Sequence, residues 1–199
     1  MYLFEAVDGD GGEEFAKFHP AWAKYLFGRE ISLGEKGCFA SHYKLWQKCL
    51  ELNEGIFIIE DDVEFTQAFN ANNLEKILKS PYEYVRIYHI KEAKFYDLEL
   101  NFKITFSNVA GTQGYYLKPS AARKFIKKCQ FLIKPVDDSM DYSEVLNIVF
   151  TPLFLKELPL QSDIATRESN YKLTRELYRI YCNIRRFFFM LKIKRRLKL

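Results

Sequence analysis

Several features that would assign the chain at once are missing from its 199 residues. No apolar run reaches the roughly 20 residues that a membrane-spanning helix needs. No charged-then-apolar leader precedes the domain, so no signal peptide is expected. The four cysteines, Cys38, Cys49, Cys129 and Cys182, show neither C-x-x-C pairs nor zinc-ligand spacing. They read as reduced, buried thiols of a cytoplasmic protein. There is no internal repeat and no low-complexity linker, and at this length one domain is the expectation, with enough chain to bury a core. A strong overall charge is also absent. The net of +4 hides a split: residues 171–199 hold ten Lys or Arg and one Glu, whereas the other 170 residues hold 20 basic and 25 acidic side chains. We therefore divide the chain into a body, 1–170, and a basic appendage, 171–199.

What is present begins with an apolar run of strand length, Ile56-Phe57-Ile58-Ile59, that ends in three consecutive acids, Glu60, Asp61 and Asp62. In α/β proteins ligands sit at the carboxyl ends of strands. Three carboxylates there repel one another and lose hydration, so they need a compensating partner. Oxygen-only ligands suit Mg²⁺ or Mn²⁺, ions that commonly also hold a substrate phosphate. The plainer alternative is a solvated turn after a strand. Upstream, Ser32 followed by Glu35 has the capping-box pattern and predicts a helix from Leu33. Cys38, His42, Leu45, Trp46, Cys49 and Leu50 follow at helical spacing and give one apolar stripe. His42 lies on that stripe beside Ser41, as either a satisfied core histidine or part of a site.

Further along, the pattern predicts a helix around 73–79, a strand over 84–90, β-rich segments over 102–106 and 114–118, and a helix from Pro119 through Cys129. Pro135 opens a helical stretch with Asp137 and Asp138 in its first turn, where negative charge complements the helix dipole. Strands alternating with helices argue for a layered α/β domain.

The ordered motifs resemble glycosyltransferase family 25, the bacterial lipooligosaccharide galactosyltransferases and their relatives. The family's G-E-x-G/A-C-x-x-S-H block reads Gly34-Glu35-Lys36-Gly37-Cys38-Phe39-Ala40-Ser41-His42 here, followed by Leu45-Trp46 and then Glu60-Asp61-Asp62-Val63. A G-T-x-x-Y block appears as Gly111-Thr112-Gln113-Gly114-Tyr115, and a P-V-D-x-x-M block as Pro135-Val136-Asp137-Asp138-Ser139-Met140. The set spans about residues 1–165. One departure is that Met1–Gly9 resembles the family's second strand, so the first strand–helix unit, which helps form the nucleotide pocket, is not found in this sequence.

The resemblance implies a GT-A-type, Rossmann-like nucleotide-sugar fold. It implies an inverting transferase moving a sugar, most often galactose from UDP-galactose, to a lipooligosaccharide or related lipid-linked acceptor, with Mn²⁺ or Mg²⁺. Asp62 and Glu60 are the metal candidates. Glu60, Asp61, Arg86, Ser41, His42, Gly111 and Thr112 are the donor-binding candidates. Asp137 matches the family's acid and is the candidate base, and Asp138, beside it, is carried as the second carboxylate. Each has a plainer reading: an ion-paired Arg86, a turn that requires Gly111, and a Trp46 in the core rather than stacked on sugar. Gln161-Ser162-Asp163-Ile164 falls on another family element without a role. The rival classes are a truncated, inactive remnant and a metal-dependent phosphoesterase or nuclease.

The tail carries Leu173, Leu177, Ile180, Ile184, Phe188 and Leu191 at three- and four-residue spacing, with Arg175, Arg179, Arg185, Arg186, Lys192, Lys194, Arg195, Arg196 and Lys198 around them. Apolar area plus cations is what an interfacial helix uses on anionic lipid. The expectation is peripheral attachment at the cytoplasmic face of the inner membrane. Its alternatives are a helix whose first half, to about Ile184, packs on the body while the end is free, or an RNA-binding arm, disfavoured because no aromatic stacking platform accompanies the charge. No nucleic-acid partner is expected.

Overall fold

A computed structural model describes residues 2–10, 21, 23–130, 135–140, 144–158 and 172–198. Helix α1 (Leu33–Leu52) starts where the capping box places it. The Ser32 hydroxyl accepts from the Glu35 N–H at 3.2 Å, and the Glu35 carboxylate accepts from the Ser32 N–H at 3.0 Å. The helix stops at Asn53, which takes the left-handed conformation that short polar side chains tolerate (φ 51, ψ 32). The chain then runs through β1 (Ile56–Ile59), β2 (Val63–Phe65), α2 (Ala71–Lys79), β3 (Tyr84–Arg86), β4 (Phe95–Asp97), β5 (Phe102–Thr105), β6 (Gly114–Leu117), α3 (Pro119–Lys128), α4 (Val136–Ser139), β7 (Ile148–Phe150), β8 (Leu155–Glu157) and α5 (Lys172–Leu197).

Six strands form one mixed sheet in the order β1-β6-β3-β7-β5-β4, and β2 pairs with β8 in a separate two-stranded ribbon. Side chains alternate faces along each strand. Ile58, Tyr84, Tyr115 and Leu117 face a core with Trp46 and Cys49 of α1, Phe125 of α3 and Val136 of α4. Phe57, Val85, Tyr116, Ile104 and Ile148 face the opposite core, with Ile77 of α2 and Phe150 and Phe154 near the ribbon. Every residue of β3, β6 and β7 is buried, as expected of strands covered on both faces.

The layered α/β architecture thus holds, with corrections in detail. A Rossmann-like sheet suggests parallel pairing, yet among the described residues only β3 and β7 pair in parallel. The causes are β6, which returns antiparallel between β1 and β3, and the β4–β5 hairpin, whose β5 runs antiparallel to β7. The strand expected over 84–90 keeps its ladder only to Arg86; the Ile87 N–H still reaches Gly114 O, and the chain then bends toward Val109. Residues 2–8, read as a strand, have no ladder; this segment instead crosses the start of α1.

Helix α5 packs on the body through its second half. Ile193 is 6% exposed inside the second core, Phe189 packs beside it, and Lys194 Nζ lies 2.8 Å from the Tyr96 hydroxyl. Leu173, Leu177, Ile180, Ile184 and Phe188 face outward, at 51–74% exposure. The alternative of a packed first half and a free end is therefore reversed. A long helix apolar on two faces can spend only one of them on its own domain.

Candidate functional site

The G-E-x-G-C-x-x-S-H block is spent largely on building the start of α1. Glu35, besides closing the cap, takes a two-point bond from Arg29, at 2.7 and 2.6 Å. Bidentate pairs of this kind are strong and directional. Gly37 leaves room for the crossing segment, because a Cβ there would sit 2.6 Å from Val7 O. The Ser41 hydroxyl accepts from the Val7 N–H at 2.8 Å and donates to Gly37 O at 2.9 Å. Ser41, a donor-binding candidate, is therefore occupied in pinning residues 7–9.

One turn later the same helix turns His42 toward the end of the sheet. His42 Nε2 lies 3.0 Å from Glu60 Oε1, and its Nδ1 lies 2.7 Å from the Tyr115 hydroxyl. That hydroxyl also accepts from Trp46 Nε1–H at 2.9 Å. Trp46 is fully buried and serves the core. The buried Thr112 hydroxyl hydrogen-bonds Glu60 and Cys38. Burial pushes the Glu60 carboxyl up, but the bonds from His42 and Thr112 outweigh it, so the net displacement is downward. The Cys38 thiol is pushed up to about 12, by burial first and then by Glu60, Asp137 and Asp62. It stays protonated and is neither a nucleophile nor a ready metal ligand. Asp137 thus acts on the same thiol as Glu60 and Asp62, although it lies 75 residues further along the chain than Asp62.

Asp62 has the opposite environment. Its Oδ1 is buried with no hydrogen-bond partner. Desolvation, then Glu60, Glu157 and Asp61, raise its carboxyl above the ordinary range. Glu157 comes from β8, directly across the ribbon from Val63. It accepts from the Tyr88 hydroxyl at 2.9 Å and from Gln113 Nε2 at 3.5 Å. Burial and that contact push the Tyr88 phenol up to about 12. Glu157, Tyr88, Gln113 and Tyr115 were not singled out from the sequence. The G-T-x-x-Y block did contain two of them, but their positions along the motif carry no sign of where they point.

The remaining candidates sit around this centre. Asp61 is exposed. Asp138 accepts from Asn108 Nδ2 at 2.9 Å, and its N–H donates to Asp137 Oδ1 at 2.8 Å. Arg86 is 2% exposed and its partners are neutral: Nε donates to Asn147 Oδ1 at 2.9 Å, and the guanidinium also donates to the carbonyls of Ala110 and Gly111. Neither an ion pair nor a reach toward solvent describes it; it clamps the turn in which Gly111 takes a φ of 85. Residues 161–164 lie outside the described residues.

Residues 1–140 match glycosyltransferase family 25 (LPS biosynthesis protein). The chain belongs to this family. A glycosyltransferase 25 family member of Drosophila pseudoobscura pseudoobscura is 28% identical over 161 residues, which is 74% of this chain and 25% of that protein. The lipooligosaccharide biosynthesis proteins lex-1 and lic2B of Haemophilus influenzae are 32% identical over 135 residues and 35% identical over 103. Those matches cover 59% and 51% of this chain, and 43% and 35% of the two proteins. The chain thus spans between a quarter and less than half of these relatives' lengths. Within the family's match the motif residues fall into two groups. Glu35, Gly37, Ser41 and Arg86 build the scaffold, while Cys38, His42, Glu60, Asp62, Thr112 and Asp137 share one electrostatic neighbourhood.

Proposed function

We propose that the chain carries the sugar-transfer site of an inverting glycosyltransferase, acting from a nucleotide-sugar donor, with UDP-galactose the first to test, onto a lipooligosaccharide or related glycan acceptor. The observation that carries this reading is that Glu60 and Asp62, two residues apart beyond the end of β1, and Asp137, from α4, all act on the same buried thiol, Cys38, in a family 25 chain. Asp137 would take the proton of the acceptor hydroxyl. The hydroxyl oxygen then bonds the anomeric carbon from the face opposite the donor phosphate. The bond from that carbon to the phosphate oxygen breaks, its electrons leave with the diphosphate, and one such displacement inverts the centre.

The residues present fit a divalent cation. The orphaned buried Oδ1 of Asp62 is a hard oxygen donor, and Glu60 and Glu157 add negative charge around it. Asp62 would hold Mn²⁺ or Mg²⁺, which when bound supplies positive charge for the leaving diphosphate. Glu60, already held by His42 and Thr112, is better suited to a donor hydroxyl, and exposed Asp61 can serve the rim. A GT-A-type fold accords with the layered mixed sheet and with acids at a strand end.

No helix among the described residues is long and apolar enough to cross a membrane. The outward apolar face of α5, with basic residues along it, supports peripheral attachment to the anionic cytoplasmic face of the inner membrane, where a lipid-linked acceptor is reached. The test is hydrolysis and transfer with a panel of UDP-sugars, with Mn²⁺, Mg²⁺ or chelator. Metal-dependent release of UDP from one sugar supports the reading. Failure to bind or hydrolyse any nucleotide-sugar, together with phosphodiesterase activity, would replace it by the hydrolase.

A further inference from the structure

Four side chains form a line from the core to the site: Trp46, Tyr115, His42 and Glu60. With His42 as the neutral imidazole, counting donors along it fixes the direction of every bond. The indole Nε1–H can only donate, so the Tyr115 oxygen accepts it at 2.9 Å. Tyr115 is 1% exposed, burial holds its phenol well above the ordinary range, and its one proton needs an acceptor. The atom within reach is His42 Nδ1, at 2.7 Å. Nδ1 must then carry a lone pair, so the ring proton sits on Nε2 and is donated to Glu60 Oε1 at 3.0 Å.

From this geometry we infer that Trp46 and Tyr115 are positioning residues that lock His42 in its Nε2–H tautomer, and through it hold one oxygen of Glu60 so that the carboxylate presents its other oxygen to the site. Sequence reading placed Trp46 in the core and left Tyr115 without a role. Here both have a directional task that a phenylalanine cannot perform. The lock has a second consequence. The ligand atoms of Cys38, His42 and Glu60 lie within 4.8 Å of one another, a spacing that would suit a metal ion. With the proton on Nε2 no lone pair points into that cluster, and the thiol is protonated as well. In the metal-free protein the trio is a hydrogen-bonded support for Glu60, and a metal would have to displace both protons to bind there.

That Glu60 then meets a donor hydroxyl rests on the transferase reading; the direction of the bonds does not. The closing experiment therefore reads the tautomer itself. Nitrogen-detected NMR on histidine-labelled whole protein distinguishes a pyridine-type from a pyrrole-type ring nitrogen, and His42→Gln assigns the signals among the three histidines. The wild type should show His42 with pyridine-type Nδ1 and pyrrole-type Nε2. In Tyr115→Phe the share of the other tautomer should rise about tenfold, the worth of one lost buried hydrogen bond. Because that variant strands the Trp46 N–H, the double variant Trp46→Phe/Tyr115→Phe removes both polar partners and is the safer fold. It should fold, with a lower melt from the smaller ring at the fully buried Trp46 site, and lose the lock equally. A merely structural role would leave the tautomer untouched. A wild-type His42 with the proton on Nδ1, or a folded double variant with an unchanged tautomer, overturns the inference.

Discussion

Asp62→Asn should make the metal-free protein more stable at neutral pH. The native carboxylate has a buried, unpartnered Oδ1 and three acids around it, and its carboxyl is raised by desolvation, then by Glu60, Glu157 and Asp61. A carboxyl raised in the folded state favours the fold at low pH, and that favour is lost as pH rises through the raised value. At neutral pH Asp62 is therefore a liability, and the amide removes it. The side chain is partly exposed, so solvent screening keeps the gain to about 0.5–1 kcal/mol. For a domain of this size that is ~1–4 °C in melting temperature. The gain should shrink toward zero as pH is lowered toward and below the ordinary carboxylate value of 3.8. Bound Mn²⁺ should reverse the order: at a hundredfold excess over Kd it adds about 2.7 kcal/mol to a protein that can hold it. Thermal melts from pH 8 to pH 4, with and without Mn²⁺, read all of this. If Asp62→Asn is destabilised alike across the range, or gains as much from Mn²⁺ as wild type does, the site is not a cation seat built on an unsatisfied acid.

Glu60→Gln should behave in the opposite sense. A carboxyl held low in the folded state contributes stability above its ordinary value of 4.5 and loses it as pH falls through the lowered one, so the variant's deficit at pH 7 should close in acid. Asp137→Asn should cut turnover by about 10²–10⁴-fold with little change in donor affinity, the size of lost general-base assistance. Asp138→Asn, whose carboxylate is tied to Asn108, should be milder; an active Asp137→Asn beside a dead Asp138→Asn would reverse the assignment. Phe125→Ala, in the core between Trp46 and Tyr84, should cost about 3–5 kcal/mol by denaturant titration. Leu177→Glu/Ile184→Glu, on the outward face of α5, should abolish salt-sensitive co-sedimentation with anionic vesicles and leave the melt unchanged; equal sedimentation would rule out lipid docking. Substitution is cleaner than truncation at residue 185, which would also strip Phe189 and Ile193 from the core.

Local chemistry was legible in the sequence, and long-range pairing was not. The Ser32–Glu35 box located the start of α1, and the helical pattern around 73–79, Pro119 and the apolar run at 56–59 marked α2, α3 and β1 within a few residues. These signals lie within one turn or one strand. Strands β7 and β8 have three residues each, too few for any period to show. Glu157 enters the site only because β8 pairs with β2 more than 90 residues upstream, and Tyr115 meets His42 across 73. Nothing local encodes either meeting. On α5 the spacing revealed an apolar row, but Phe189 and Ile193 form a shorter one elsewhere on the helix. Shape complementarity to the body, which no periodicity reports, decided which one was buried.

Two carboxylates two residues apart are driven in opposite directions, and the fold shows why. Glu60 follows the last residue of β1, its N–H bonded to Gln113 O, so its side chain meets α1 and receives the donors that His42 and Thr112 present. Asp62 lies in the turn that hands the chain to the β2–β8 ribbon. Its carbonyl accepts the Leu158 N–H, but its carboxylate is left among acids. Environments that push neighbouring acids apart separate their tasks. The satisfied one is a fixed, ionised acceptor suited to a neutral hydroxyl. The unsatisfied one gains most from a cation, because only a positive charge relieves both the lost hydration and the repulsion. On the proposed reading, holding a sugar and stabilising a departing diphosphate take one of each. A single strand end supplies them because the chain changes sheets between residue 60 and residue 63.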